Sequence, residues 1–264
     1  MSAGARWAII TGASSGIGKA LALEFAAGGF NVLLTGRNED ALQSVAQQCS
    51  ERSQALTEVV PAELSSSEET DKLIVAIRAQ PRQYEVLVNN AGFGVNGDFS
   101  RTDLDAEIDL LNVQLAAALK LTKAVLPQMI SRGSGRILNV GSVYCYAPVP
   151  FQSVYSACKA FLLSFSAAIR NELAGSGVTV TVLCPGITQT EFRSRAGIAE
   201  KSKSSGMTAE DAACIAYQQT MRGRAVVIPG IANRIFVVLA KILPSTSFTG
   251  IIRYINQKRG HKNP

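Results

Sequence analysis

Histidine is almost absent from this sequence. The single one, His261, stands among the last four residues. A Ser-His-Asp hydrolase needs an imidazole base beside its nucleophile, and zinc sites of the common kinds draw on imidazole ligands, so the sequence argues against both. Cysteine is sparse too. Cys49, Cys145, Cys158, Cys184 and Cys214 are odd in number and widely spread, with no close pair at metal-ligand spacing. That usage fits a reducing, cytoplasmic setting without a bound metal, and does not fit a disulfide framework. Only 17% of residues are charged while 47% are hydrophobic, which argues against a disordered chain. The formal charge of +6 is modest, and much of it lies in "RYINQKRGHKNP", so no nucleic-acid partner is expected. No uninterrupted apolar run reaches the about 18 residues of a membrane span. "WAII" leads straight into a glycine-rich turn, which reads as a strand and not as a secretory segment.

What is present is an alternation. "WAIIT", "NVLLT", "ALTEVV", "EVLVN", "GRILNVGS", "VTVTVLCPG" and "AVVIP" have strand length and apolar content. Between them lie helical patterns from about Gly16, from Glu39, over "SSSEETDKLIVAIR", over Asp103 to Ser131 and from about Ser153. Strand–helix–strand alternation at this spacing predicts an α/β fold, a parallel sheet with helices on both faces. No linker or repeat divides it, so residues 1–264 read as one domain. Two segments break the rhythm. Residues 187–207 are polar and glycine-punctuated, as a lid over a substrate would be. Residues 230–264 form an apolar extension with basic punctuation.

"TGASSGIGKA" follows the first strand and opens the first helix. Glycines at such a turn allow positive φ and close approach of a ligand, and the free N–H groups of the helix start meet a pyrophosphate. After the second strand, where an NAD site usually carries a carboxylate for the ribose hydroxyls, the chain has Gly36 and then Arg37. A guanidinium can hold a 2′-phosphate, which favours NADP(H) over NAD(H). Glu39 and Asp40 read as acids stabilising the first turn of the next helix.

Three tyrosines, Tyr144, Tyr146 and Tyr155, lie in "GSVYCYAPVPFQSVYSACKAF". Only Tyr155 has a cation one helical turn away, Lys159. An ammonium about 4 Å from a phenolate gains at most roughly 4 kcal/mol, enough to bring a phenol from about 10 towards 7, with burial opposing it. Ser142 ends a strand, where ligands collect in parallel sheets. Asn112 is a poor helix former inside a predicted helix; either an internal hydrogen bond or a functional role accounts for it.

Together "TGASSGIG", "NNAG" (Asn89–Gly92), Asn112, Ser142, "YSACK" (Tyr155–Lys159) and "PG" (Pro185–Gly186) resemble the short-chain dehydrogenase/reductase family across nearly the whole chain. The resemblance implies a Rossmann-type, doubly wound sheet of seven mostly parallel strands. It implies Asn112, Ser142, Tyr155 and Lys159 as the catalytic set. Tyr155 would be the acid/base, Lys159 would lower its pKa, Ser142 would steady the carbonyl and Asn112 would help hold a relay water. The implied cofactor contacts are Gly12, Ser14, Ser15, Gly16, Ile17, Gly18, Arg37, Glu63, Leu64, Asn90, Ala91, Gly92, Tyr155, Lys159, Pro185, Gly186, Ile187 and Thr188. Family members often have Asp where this chain has Glu63, and NADP-using ones a basic residue where it has Ser15. The expected reaction is NADPH-dependent reduction of a ketone or aldehyde. An NAD-dependent alcohol or sugar dehydrogenase and a dinucleotide-binding sensor with little turnover are the alternatives.

Phe93, Val143, Tyr146, Val149, Phe151 and Phe192 point to an apolar pocket and a lipophilic carbonyl substrate. In "NRIFVVLAKIL", helical spacing would bury Ile235, Val238, Leu239 and Ile242 on one side. That side could pack on the core, pair with another subunit, or lie peripherally on an acidic membrane surface. A homodimer or homotetramer, built through the helices of Asp103–Ser131 and after Ser153, is what the resemblance implies.

Overall fold

A computed structural model describes residues 6–197 and 206–258. His261, residues 198–205 of the expected lid and the end of the C-terminal extension lie outside the described residues. The chain begins β1 (Arg6–Thr11), α1 (Gly16–Ala27), β2 (Asn31–Thr35), α2 (Glu39–Ser53), β3 (Thr57–Val59), α3 (Ser67–Ala79) and β4 (Gln83–Asn89). It continues through α4 (Leu104–Leu111), a π-helical turn (Asn112–Ala116), α5 (Ala117–Arg132), β5 (Gly135–Val140), α6 (Ser153–Glu172) and β6 (Val178–Leu183). Then come β7 (Thr188–Gln189), α7 (Phe192–Arg195), β8 (Met207–Thr208), α8 (Ala209–Met221), β9 (Val226–Val227), α9 (Ile231–Ile242) and α10 (Ser245–Lys258).

Seven strands form one sheet in the order β3-β2-β1-β4-β5-β6-β9, and every pairing is parallel. The alternation within each strand explains why both faces are covered. Ala8, Ile10, Val32, Leu34, Val86 and Val88 face the side packed by α1, α2 and α8. Trp7, Ile9, Leu33, Leu87, Ile137 and Val180 face the side of α3 and α5. The short pair β7–β8 closes the base of the polar loop between them.

The chain leaves β1 towards β2 and β3, then returns to β4 on β1's other flank. That reversal opens a crevice at the carboxyl ends of β1 and β4, the place where open α/β sheets bind ligands. Thr11 stitches its floor: its hydroxyl accepts from the amides of Asn90 (2.9 Å) and Ala91 (3.0 Å) and donates to the Val88 carbonyl (3.1 Å).

Two features refine the expectations. The segment Asp103–Ser131 is not one regular helix, because the π-helical turn starting at Asn112 separates α4 from α5; the Ala117 amide reaches the Asn112 carbonyl. In α9 the apolar side named from the spacing is the outer one, which excludes packing on the core and leaves the partner-subunit and membrane placements. Ile235, Val238, Leu239 and Ile242 are exposed, and the opposite face carries the buried Val237. Phe236, Ala240 and Leu243 pack with Ala147, Val149, Phe248 and Ile252. Both faces are apolar, and the inner one has the small Ala240 where the helix meets the core.

Candidate active site

The glycine turn is shaped by close approach. Gly12 has φ +63°, and a side chain there would come within 2.8 Å of the Ala91 Cα. A Cβ on Gly18 would lie 2.2 Å from the Gly12 carbonyl oxygen, so helix α1 can start here only on a bare backbone. The Asn90 amide donates to the carbonyls of Thr11 (2.9 Å) and Gly12 (3.2 Å), which fixes the turn against β4.

Helix α1 starts unlike α2, α3, α4 and α8, and shares with α6 and α9 the lack of a side-chain cap and of first-turn acids. Side chains of Asn38, Ser66, Asp103 and Thr208 cap α2, α3, α4 and α8, each with acids in the first turn. α1 has no side-chain cap and no acid in its first turn. Its first-turn N–H groups cannot be satisfied within the helix, and such a helix start is able to hold an anion.

One cleft with a volume of about 680 Å³ runs from this turn to Tyr155. Every residue expected to contact a dinucleotide, from Gly12 to Thr188, lines it, and so does Ser142. Asn112 is not among the lining residues; it sits half-buried at the start of the π-helical turn, where its carbonyl accepts from the Ala117 amide. At the cleft's outer end the Arg37 guanidinium is 68% exposed and pairs with Glu63 at 3.5 Å. Glu63 also accepts from the Ser65 amide (3.1 Å), so its carboxylate is tied to neighbours on two sides.

At the inner end α6 carries Tyr155 and Lys159, which are only 8% and 5% exposed. The Lys159 ammonium donates to the Val140 carbonyl (2.9 Å) and lies 5.4 Å from the Tyr155 ring centroid. Beneath them the amide of Asn139 donates to Ser166 on α6 (2.7 Å) and accepts from Asn89 (2.8 Å), which locks α6 to β5 and β4. Ser142 follows β5 and accepts from the Tyr144 amide (3.2 Å). It starts a 3₁₀ turn, Val143–Tyr146, that carries Tyr144 into the cleft.

Burial raises the Tyr155 phenol above its ordinary range, with Tyr144 and Cys145 adding to it, while a hydrogen bond with Ser142 acts in the opposite direction. Burial lowers the Lys159 ammonium to about 8. The downward shift expected for Tyr155 is therefore reversed. Removing the phenol from water outweighs the hydrogen bond with Ser142, and the group rests protonated.

Of the six expected pocket residues, Phe93, Val143 and Phe192 line the cleft. Tyr146, Val149 and Phe151 are not among its lining residues, which corrects the expectation. Tyr146 packs with Cys145, Val182 and Cys184, and Val149 packs against α10. Tyr144, set aside in the sequence for want of a cation one helical turn away, stands edge-on to Tyr155 with ring centroids 6.4 Å apart. Sequence reasoning passed over Arg193, Arg195 and Asn256, which line the cleft. Arg195 donates to the Ser15 hydroxyl (3.3 Å) across 180 residues of sequence, and it is ion-paired with Glu191. No local pattern could signal that contact. The residue type missing from position 15 was the only clue.

A family model described as short chain dehydrogenase matches residues 6–201. An uncharacterized oxidoreductase of Staphylococcus saprophyticus is 32% identical over 80% of this chain and 91% of its own length. A ketoacyl reductase of Nostoc is 36% identical over 69% of this chain and 63% of its own. The human inactive hydroxysteroid dehydrogenase-like protein 1 is 37% identical over 68% of this chain, and the match covers 55% of that relative. Among solved structures, a short-chain dehydrogenase from Sphingobium yanoikuyae in complex with NADPH is 30% identical, with a TM-score of 0.82, covering 94% of this chain and 95% of that one.

Proposed function

The chain belongs to the short-chain dehydrogenase family, and from that premise we propose that it is an NADP(H)-dependent oxidoreductase that reduces a lipophilic ketone or aldehyde. The observation that carries this reading is that buried Ser142, Tyr155 and Lys159 share a cleft with an uncapped, glycine-built helix start and an exposed Arg37. The glycine turn and the α1 amides would hold the cofactor's pyrophosphate, and Arg37 its 2′-phosphate. NADPH, when bound, supplies the hydride.

The remaining work falls to the chain's own groups. The Ser142 hydroxyl orients the substrate oxygen. Tyr155, kept protonated by burial, gives that oxygen its proton as negative charge develops there. The Lys159 ammonium, fixed by the Val140 carbonyl, offsets the charge left on the phenolate. Phe93, Val143 and Phe192 give the inner end an apolar wall. Arg195 at Ser15 supplies a cation close to the position where NADP-using relatives often carry one, which supports the choice of NADP(H).

Family membership does not by itself carry turnover, since one relative is named as inactive. The retained, buried Tyr155–Lys159 pair is what favours an enzyme over a nucleotide-binding scaffold here. The test is a panel of aliphatic, aromatic and acyl-chain carbonyls followed by NADPH absorbance, with NADH in parallel. Turnover with NADPH and little with NADH is expected. Nucleotide binding with no turnover across the panel would favour the scaffold.

A further inference from the structure

We propose that the outer face of α9 is a docking surface for an anionic membrane. Ile231, Ile235, Val238, Leu239 and Ile242 recur at helical spacing and are all exposed, Ile231 at 76% and Ile242 at 73%. The other face of the helix already packs on α10 and the loop after β5, so this stripe is a second apolar face with a separate purpose. Ile251 and Ile255 on α10 add exposed apolar surface to the same hairpin.

Charge selects the occupant. From Ile231 to Lys258 the chain carries Arg234, Lys241, Arg253 and Lys258 and no acid at all. Arg253 faces Asp98, which leaves Arg234 and Lys241 as exposed cations on α9, anchored at the Ile228 carbonyl and over the Tyr146 ring. Apolar residues are exposed on α4 too, Leu104 and Ile108, but they stand among Asp103, Asp105 and Asp109, which an anionic surface would repel. A second copy seated on α9 by two-fold symmetry would set an acid-free, basic hairpin against itself. Acidic headgroups satisfy both the stripe and the cations. Twelve residues of helix cannot cross a bilayer, and among the described residues no helix is long and apolar enough to do so. The helix therefore lies on the surface. The same hairpin reaches the cleft through Asn256, so docking would place the bilayer near the substrate end.

The test is flotation of the chain with vesicles of phosphatidylcholine alone and with one third phosphatidylserine, at low and high salt. It reads bound protein and needs no turnover, so it is independent of the proposed reaction. Binding to the phosphatidylserine vesicles and loss of binding in high salt are expected. R234Q/K241Q should weaken binding about thirtyfold, and I235Q/I242Q should abolish it. Both variants should keep the near-UV circular dichroism of the parent. Failure of the parent to float, or equal flotation of parent and variants, overturns the proposal. So does a dimer that I235Q/I242Q splits, seen by light scattering without vesicle binding, which would give the stripe to another copy.

Discussion

The two ends of the cleft are made by opposite means. At the inner end, three polar side chains are drawn almost completely out of water, and their chemistry is set by burial: a phenol pushed up, an ammonium brought down to about 8. At the outer end, Arg37 stands mostly in solvent, tied only to Glu63. A buried group acts through an environment that no neighbour can replace. An exposed cation acts through a field that salt screens and that other cations share. Substitutions at the inner end should therefore remove chemistry, while those at the outer end should tune affinity.

Tyr155→Phe should have the largest effect. It keeps the ring packing against Tyr144 and Phe192 but removes the proton, so kcat should fall about a thousandfold with NADPH binding unchanged by fluorescence titration. Tyr144→Phe, its edge-on neighbour, should stay within about threefold of the parent, because the aromatic contact with Tyr155 is kept. At the outer end, Arg37→Ala should raise the KM for NADPH about tenfold and leave kcat alone, with the gap closing at high salt. Arg195→Ala should give the smallest change, about threefold in the same KM, because Arg195 is exposed and already shared with Glu191. A loss of kcat larger than the loss of affinity in either arginine variant would show that the ends are not separate.

Much of this was readable from residue order. Strands buried on both faces leave unbroken apolar runs such as "WAII" and "VLLT", and a turn that tolerates no Cβ leaves glycines at fixed intervals. Tyr155 and Lys159 are one helical turn apart, so a local spacing predicts a shared face. Tyr144 was harder to read, because its entry into the cleft depends on the 3₁₀ turn that Ser142 starts. The contact of Arg195 with Ser15 depends on how the β7–β8 base folds the loop back over α1, where Thr190 also packs on Gly16. The placement of α9 stayed open among three alternatives for a different reason. Periodicity finds an apolar stripe but cannot say which of two apolar faces meets the core. The shape of the loop at Ala147–Val149 decided it.

The dependence of kcat/KM on pH, measured for carbonyl reduction by the parent and by Lys159→Ala, tests the central claim most directly. Lys159 titrates at about 8 in the free protein, so its ammonium is lost as pH rises through that value and the charge left on Tyr155 loses its support. The parent's rate should therefore fall above about pH 8, and Lys159→Ala, already slow, should lack that descending limb. Two profiles of the same shape would contradict the electrostatic role given to the lysine, and with it the account of how the phenol gives up its proton.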